Sequence, residues 1–150
     1  MPLPILLLMA PVEGLAKAIQ LSVAPVFLLA GISGLLGVLS NRLARIIDRG
    51  RQLQLQVSDP SVAISRDARR ELQLQKRRMG LMLKAIELAT VTILLVALVV
   101  AIVFVSAVAS LDLALLVVPL FVTAMVCLMV AVLLFLREVQ IATGQIRRWF

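Results

Sequence analysis

The sequence predicts an all-α integral membrane protein with three transmembrane helices, and three observations carry that expectation. Of its 150 residues, 62% are apolar and the mean hydropathy is +1.09, against about 45–50% apolar in a soluble domain. Three runs, 21–39, 88–109 and 113–136, have no charged side chain inside them, and each meets the ~20 residues that a helix needs to cross a bilayer. Fourteen of the fifteen Lys and Arg residues fall either in 42–84 or after Leu136. Lipid offers backbone groups no partner, and an all-apolar run cannot alternate as a barrel strand does, so the spans are predicted as helices.

The basic residues set the expected orientation. Segment 42–84 holds eleven basic and four acidic residues and supplies the whole net charge of +7. Loops rich in Lys and Arg stay in the cytoplasm, so 40–87 and the tail 137–150 are predicted inside. The linker Ser110-Leu111-Asp112 has no basic residue and is predicted outside. The N-terminus is then outside and the C-terminus inside.

The first twenty residues read as an outer interfacial segment. The apolar stretch 3–10 is too short to span and lacks a basic leader, which argues against a cleaved signal peptide. Pro11 suits the first position of a short amphipathic helix. Val12, Leu15, Ala16 and Ile19 share one face, and Glu13 and Lys17 are spaced to pair on the other. Pro25 is expected to kink or offset entry into the first span.

The cytoplasmic segment is predicted to be a helical hairpin. Leu43, Ile46, Ile47, Leu53 and Val57 recur with a spacing near 3.5, as do Ala68, Leu72, Met79, Met82 and Ile86. Asp59 can cap and Pro60 can start the return helix after a turn at Ser58 to Ser61. The apolar stripes would zip the two arms together. Beyond Leu136, Val139, Ala142, Ile146 and Trp149 continue one apolar face. The third helix is therefore expected to extend inward against the hairpin, with Arg147, Arg148 and Trp149 anchoring the interface.

Chemistry is constrained mainly by what the chain lacks. It has no His, no Tyr and one Cys. No disulfide can form within the chain and no Cys/His metal site has ligands. Cys127 lies mid-span and reads as a small hydrophobe. With no nucleophile beside a base and no phosphate-cradling loop, the prediction is a non-enzyme without a cofactor. A proton-coupled transporter would need charge inside the spans. The basic stretches Arg66-Asp67-Ala68-Arg69-Arg70-Glu71 and Lys76-Arg77-Arg78 lack aromatic residues for stacking bases, which disfavours nucleic acid.

Two constellations remain. Ala30, Gly31, Ser33, Gly34 and Gly37 make the first span rich in small residues, with Asn41 one turn below. Ala30/Gly34 and Ser33/Gly37 are small-xxx-small pairs that let another backbone approach closely. They serve either packing within the chain or packing against other copies around a pore. Arg42, Arg45 and Arg49 share one helical face just inside the first span, with Asp48 in reach of Arg45 and Arg51. They either anchor the helix on headgroup phosphates or, in a symmetric assembly, form cationic rings at the inner mouth. Lys84 and Glu87 read as a boundary pair, Asp112 as a turn residue, and Pro119 as a kink in the third span.

Pro25, the run Asn41-Arg42-Leu43-x-Arg45-Ile46-Ile47-Asp48-Arg49-x-Arg51-x-Leu53, the basic hairpin and the close-coupled later spans resemble a family of short bacterial three-span membrane proteins known as a domain of unknown function. The resemblance covers about Leu15 to Gln145. It implies a multi-pass protein of the bacterial inner membrane and no established activity. The leading expectation is a small homo-oligomeric channel, with the first span lining the path and an Arg-rich inner mouth favouring anions. The alternative is a non-conducting scaffold whose basic hairpin binds anionic lipid or an acidic cytoplasmic partner.

Overall fold

The computed structural model describes the backbone of residues 3–58, 66–109 and 111–146, and side chains within 12–58, 66–109 and 111–144. Three helices account for nearly all of it: α1 (Leu3–Ser58), α2 (Arg66–Ala109) and α3 (Ala114–Ile146). Each is long and apolar enough to cross a membrane. The predicted cap and helix start at Asp59 and Pro60, and the anchor Arg147-Arg148-Trp149, lie outside the described residues.

The amino-terminal expectation needs correcting. In place of a separate short helix begun by Pro11, α1 runs unbroken through Pro11 and Pro25. A proline removes one helical hydrogen bond. Ending the helix in an apolar environment would strand several backbone groups at once, so continuity costs less. Glu13 and Lys17 are exposed and no ion pair joins them. Pro119 likewise sits inside α3, where the Thr123 hydroxyl donates to its carbonyl at 2.8 Å.

Buried positions explain why the helices associate. In α1, Ala18, Ile32, Leu39, Ile46 and Leu53 are all buried and lie seven residues apart or a multiple of it. In α2, Gln75, Met82, Ala89 and Val96 keep the same period, as do Ala85, Thr92 and Val99. In α3 the series is Ala124, Ala131 and Glu138. A seven-residue repeat keeps one seam of each helix facing its partners, as in coiled coils. Large apolar side chains outside that seam stay exposed, among them Phe27, Leu94, Val108, Leu115 and Met129. Such continuous apolar surface requires a hydrocarbon solvent.

The chain forms two compact units, Met1–Gly34 with Thr90–Cys127, and Leu35–Ala89 with Leu128–Phe150. In the first, Ala18, Ser22 and Ile32 of α1, Thr92, Val96 and Val99 of α2, and Ala124 of α3 are buried. The Thr92 hydroxyl donates to the Ala124 carbonyl at 3.4 Å, joining α2 to α3. The α2–α3 turn is closed by Leu111 N donating to Ser106 O and by the Ser106 hydroxyl donating to Leu111 O. Asp112 then leads into α3, its Oδ1 accepting from Ala114 N at 3.2 Å. A carboxylate there also opposes the positive end of the helix dipole.

The second unit buries Leu39, Ile46, Leu53, Gln75, Met82, Ala85, Ala89, Ala131 and Glu138. Leu39 has no exposed surface. Leu39→Ala should lower stability by ~2–4 kcal/mol through lost contacts and a residual cavity, measured as thermal unfolding in detergent.

Candidate functional site

Among the described residues, the second unit carries a polar constellation that joins all three helices, and it is centred on Glu138, a residue that the sequence reading passed over. The seven-residue series of α3 puts Glu138 on the same seam as Ala124 and Ala131, and its side chain is fully buried. Arg78 of α2 donates from Nε and Nη2 to Oε1 of Glu138 at 2.9 and 2.8 Å. Arg78 also reaches Gln75 Oε1 from Nη1 at 3.4 Å. From α1, Arg42 Nε lies 2.7 Å from Glu138 Oε2. That contact is an ion pair without an aligned hydrogen bond, so Oε2 is balanced by charge and not by a directed N–H. The Arg42 guanidinium also stacks 5.5 Å from the centre of the Phe135 ring, a cation–π contact.

One carboxylate therefore ties all three helices together. Its isolation from water is what makes it consequential. A buried carboxylate is tolerated only when paired and hydrogen-bonded, and Glu138 has two arginines for one charge. Arg78 is nearly buried and Arg42 about one-third exposed. A second inter-helix contact lies further along α1, where Arg49 donates from Nε and Nη2 to Glu71 Oε1 at 3.2 and 3.0 Å. Both partners are partly exposed, so this bond is worth ~1 kcal/mol or less.

These pairings sort the predicted arginine face. Arg42 and Arg49 are committed to carboxylates on other helices. Arg45 is exposed and has no ion pair among the described residues. Asp48 is also exposed, and the expected pairs with Arg45 and Arg51 are not formed. Lys84 and Glu87 are exposed and unpaired with each other in the same way.

Asn41, Arg42, Arg45, Arg49, Gln75 and Arg78 line a cleft of about 540 Å³ between α1 and α2 in this unit. Its wall therefore presents four guanidinium groups.

The small-residue set of α1 lies away from the seam. Ala30, Gly31, Ser33, Gly34, Gly37 and Asn41 are all exposed. A Cβ built on Gly31, Gly34 or Gly37 would meet nothing within 4 Å. Close packing of these glycines against the chain's own α2 or α3, one of the two expectations, is not what they do. Ser33 spends its hydroxyl on the Leu29 carbonyl at 2.8 Å. Among the described residues no group of His, Cys, Asp or Glu is arranged to hold a metal ion.

Residues 22–148 match the family model described as "Protein of unknown function (DUF2721)". The chain belongs to this family. The match starts several residues later and runs slightly further than the resemblance read from the sequence. No curated protein and no solved structure matches the chain. Most of this DUF2721 chain, including the Glu138 cluster, the arginine cleft and the α1 glycines, falls inside the matched region.

The signal for Glu138 was present as a period. Counting by sevens from Ala124 reaches Ala131 and then Glu138. A charge just past an apolar span reads as the end of a membrane segment, and that reading masks a seam position.

Proposed function

We propose that this protein is the subunit of a small homo-oligomeric channel in the bacterial inner membrane, with α1 of several copies lining the path. The carrying observation is the exposed small-residue face of α1, where a Cβ on Gly31, Gly34 or Gly37 would meet nothing within 4 Å among the described residues. In lipid there is no hydrophobic drive between helices, and close approach at small residues is a main source of association. The basic content of 42–84 favours the orientation with the N-terminus outside and the C-terminus inside. The Arg49–Glu71 bond supports a cytoplasmic hairpin formed by the ends of α1 and α2.

At the inner mouth Arg45 is the exposed cation with no ion-pair partner among the described residues, while Glu71 offsets Arg49 and Glu138 is shared by Arg42 and Arg78. Counting Arg42, Arg45, Arg49 and Arg78 against Asp48, Glu71 and Glu138 leaves one net positive charge per chain. The expected selectivity is a mild anion preference. Arg45→Glu should shift the reversal potential in asymmetric chloride toward cations while the assembly keeps its mass. An unchanged reversal potential would remove Arg45 from the path.

A second reading is a non-conducting scaffold that recruits anionic lipid or an acidic partner. The exposed Arg66, Arg69, Arg70, Lys76 and Arg77 of α2 favour it. Under that reading neither wild type nor Arg45→Glu carries current, and the variant loses binding.

A further inference from the structure

We infer that the cleft between α1 and α2 in the second unit is a binding site for a phosphate-bearing anion, either a lipid headgroup or a soluble phosphate. Three features carry this beyond a general basic surface. The first is concentration of donors: Arg42, Arg45, Arg49 and Arg78 all line one cleft of about 540 Å³. Guanidinium groups match phosphate oxygens with paired, charge-assisted hydrogen bonds.

The second is preorganisation. Fully buried Glu138 fixes Arg78 through two hydrogen bonds and Arg42 through an ion pair, and Gln75 steadies Arg78 from the side. Phe135 backs the Arg42 guanidinium. Two cations are thus held in place by one carboxylate, so positive charge is left over in a partly screened recess, where it acts more strongly than in open water. The third is the free cation: Arg45 lines the same recess with no ion-pair partner among the described residues.

The position also fits. Val38 and Ile46 contribute apolar wall to the cleft, and Asn41 and Arg42 come just after the apolar run 21–39, beyond Ser40. Headgroup phosphates are expected at the end of such an apolar run, and basic pockets between membrane helices commonly take anionic lipid. A soluble phosphate entering from water would meet the same donors. The inference does not depend on conduction.

The test uses the full-length protein in nanodiscs. One arm compares phosphatidylcholine discs with discs containing phosphatidylglycerol or cardiolipin, reading bound anionic lipid by native mass spectrometry. The other arm titrates inorganic phosphate and pyrophosphate against phosphatidylcholine discs and reads the thermal midpoint. Arg45→Ala and Arg49→Ala probe the cleft. Arg70→Ala removes an equal charge from the exposed surface of α2, outside it. Arg45 is exposed and has no ion-pair partner among the described residues, so its loss leaves their packing intact.

Specific binding in either arm, weakened roughly tenfold by Arg45→Ala and little by Arg70→Ala, supports the site. A response confined to the lipid arm names a headgroup as the source, and one confined to the soluble arm names a free phosphate. Equal losses in Arg45→Ala and Arg70→Ala, or no binding in either arm, overturn it. Binding through Arg45 in a chain that carries no current leaves the inference standing and removes the channel reading.

Discussion

Glu138→Ala is expected to destabilise the protein by ~3–5 kcal/mol, the largest effect of any single substitution considered. Removing the carboxylate leaves Arg78, nearly buried, and Arg42, about one-third exposed, with no counter-charge where Glu138 stood. The cost comes from desolvated, unpaired arginines and not from the lost attraction alone. That distinction makes a further variant informative. Replacing Glu138 and both arginines with apolar residues of similar volume should recover most of the stability, because a buried ion cluster seldom outperforms good apolar packing. Thermal unfolding in one detergent checks both. Equal losses in the single and the triple variant would mean that the cluster's value lies in its attraction.

Gly34→Leu is expected to abolish assembly while sparing the fold of the single chain. A Cβ at Gly34 meets nothing within 4 Å, so the larger side chain has room in the isolated subunit. Leucine is also a better helix former than glycine by roughly 0.5–1 kcal/mol, so the monomer should be slightly stabilised. Against another copy of α1, the same side chain would hold the backbones apart and lose the close packing that small residues permit. Loss of assembled mass with undiminished helicity is the expected signature. Retained mass would place the interface elsewhere.

Much of the architecture was legible in the sequence, for physical reasons. Long apolar runs without charge leave lipid-spanning helices as the only way to satisfy the backbone. The apolar spacing picked out Ile46, Leu53 and Met82 of the second unit's buried seam, but it also took in Ile47, which is exposed. The direction of the glycine stripe was not legible. Periodicity groups Ala30, Gly34 and Gly37 on one face, but only the position of the seam, set by Ile32, Leu39 and their partners on α2 and α3, shows that this face points outward.

The arginine face was visible as a row of like charges. Its division into Arg42 and Arg49, which are paired, and Arg45, which has no ion-pair partner among the described residues, depends on Glu138 and Glu71, which are 96 and 22 residues away from their partners Arg42 and Arg49 in the sequence. Pairing across helices at such distances leaves no local trace. Pro11 misled in the other direction. Its local rule predicts the start of a separate helix, yet α1 runs as one helix through it.

The most direct test of the central proposal is the native mass of the purified protein in nanodiscs. Each chain contributes 16.3 kDa. A closed ring of at least about four chains is expected, enough α1 helices to surround a path. A monomer or dimer would contradict it, leaving too few helices around an axis for a pore.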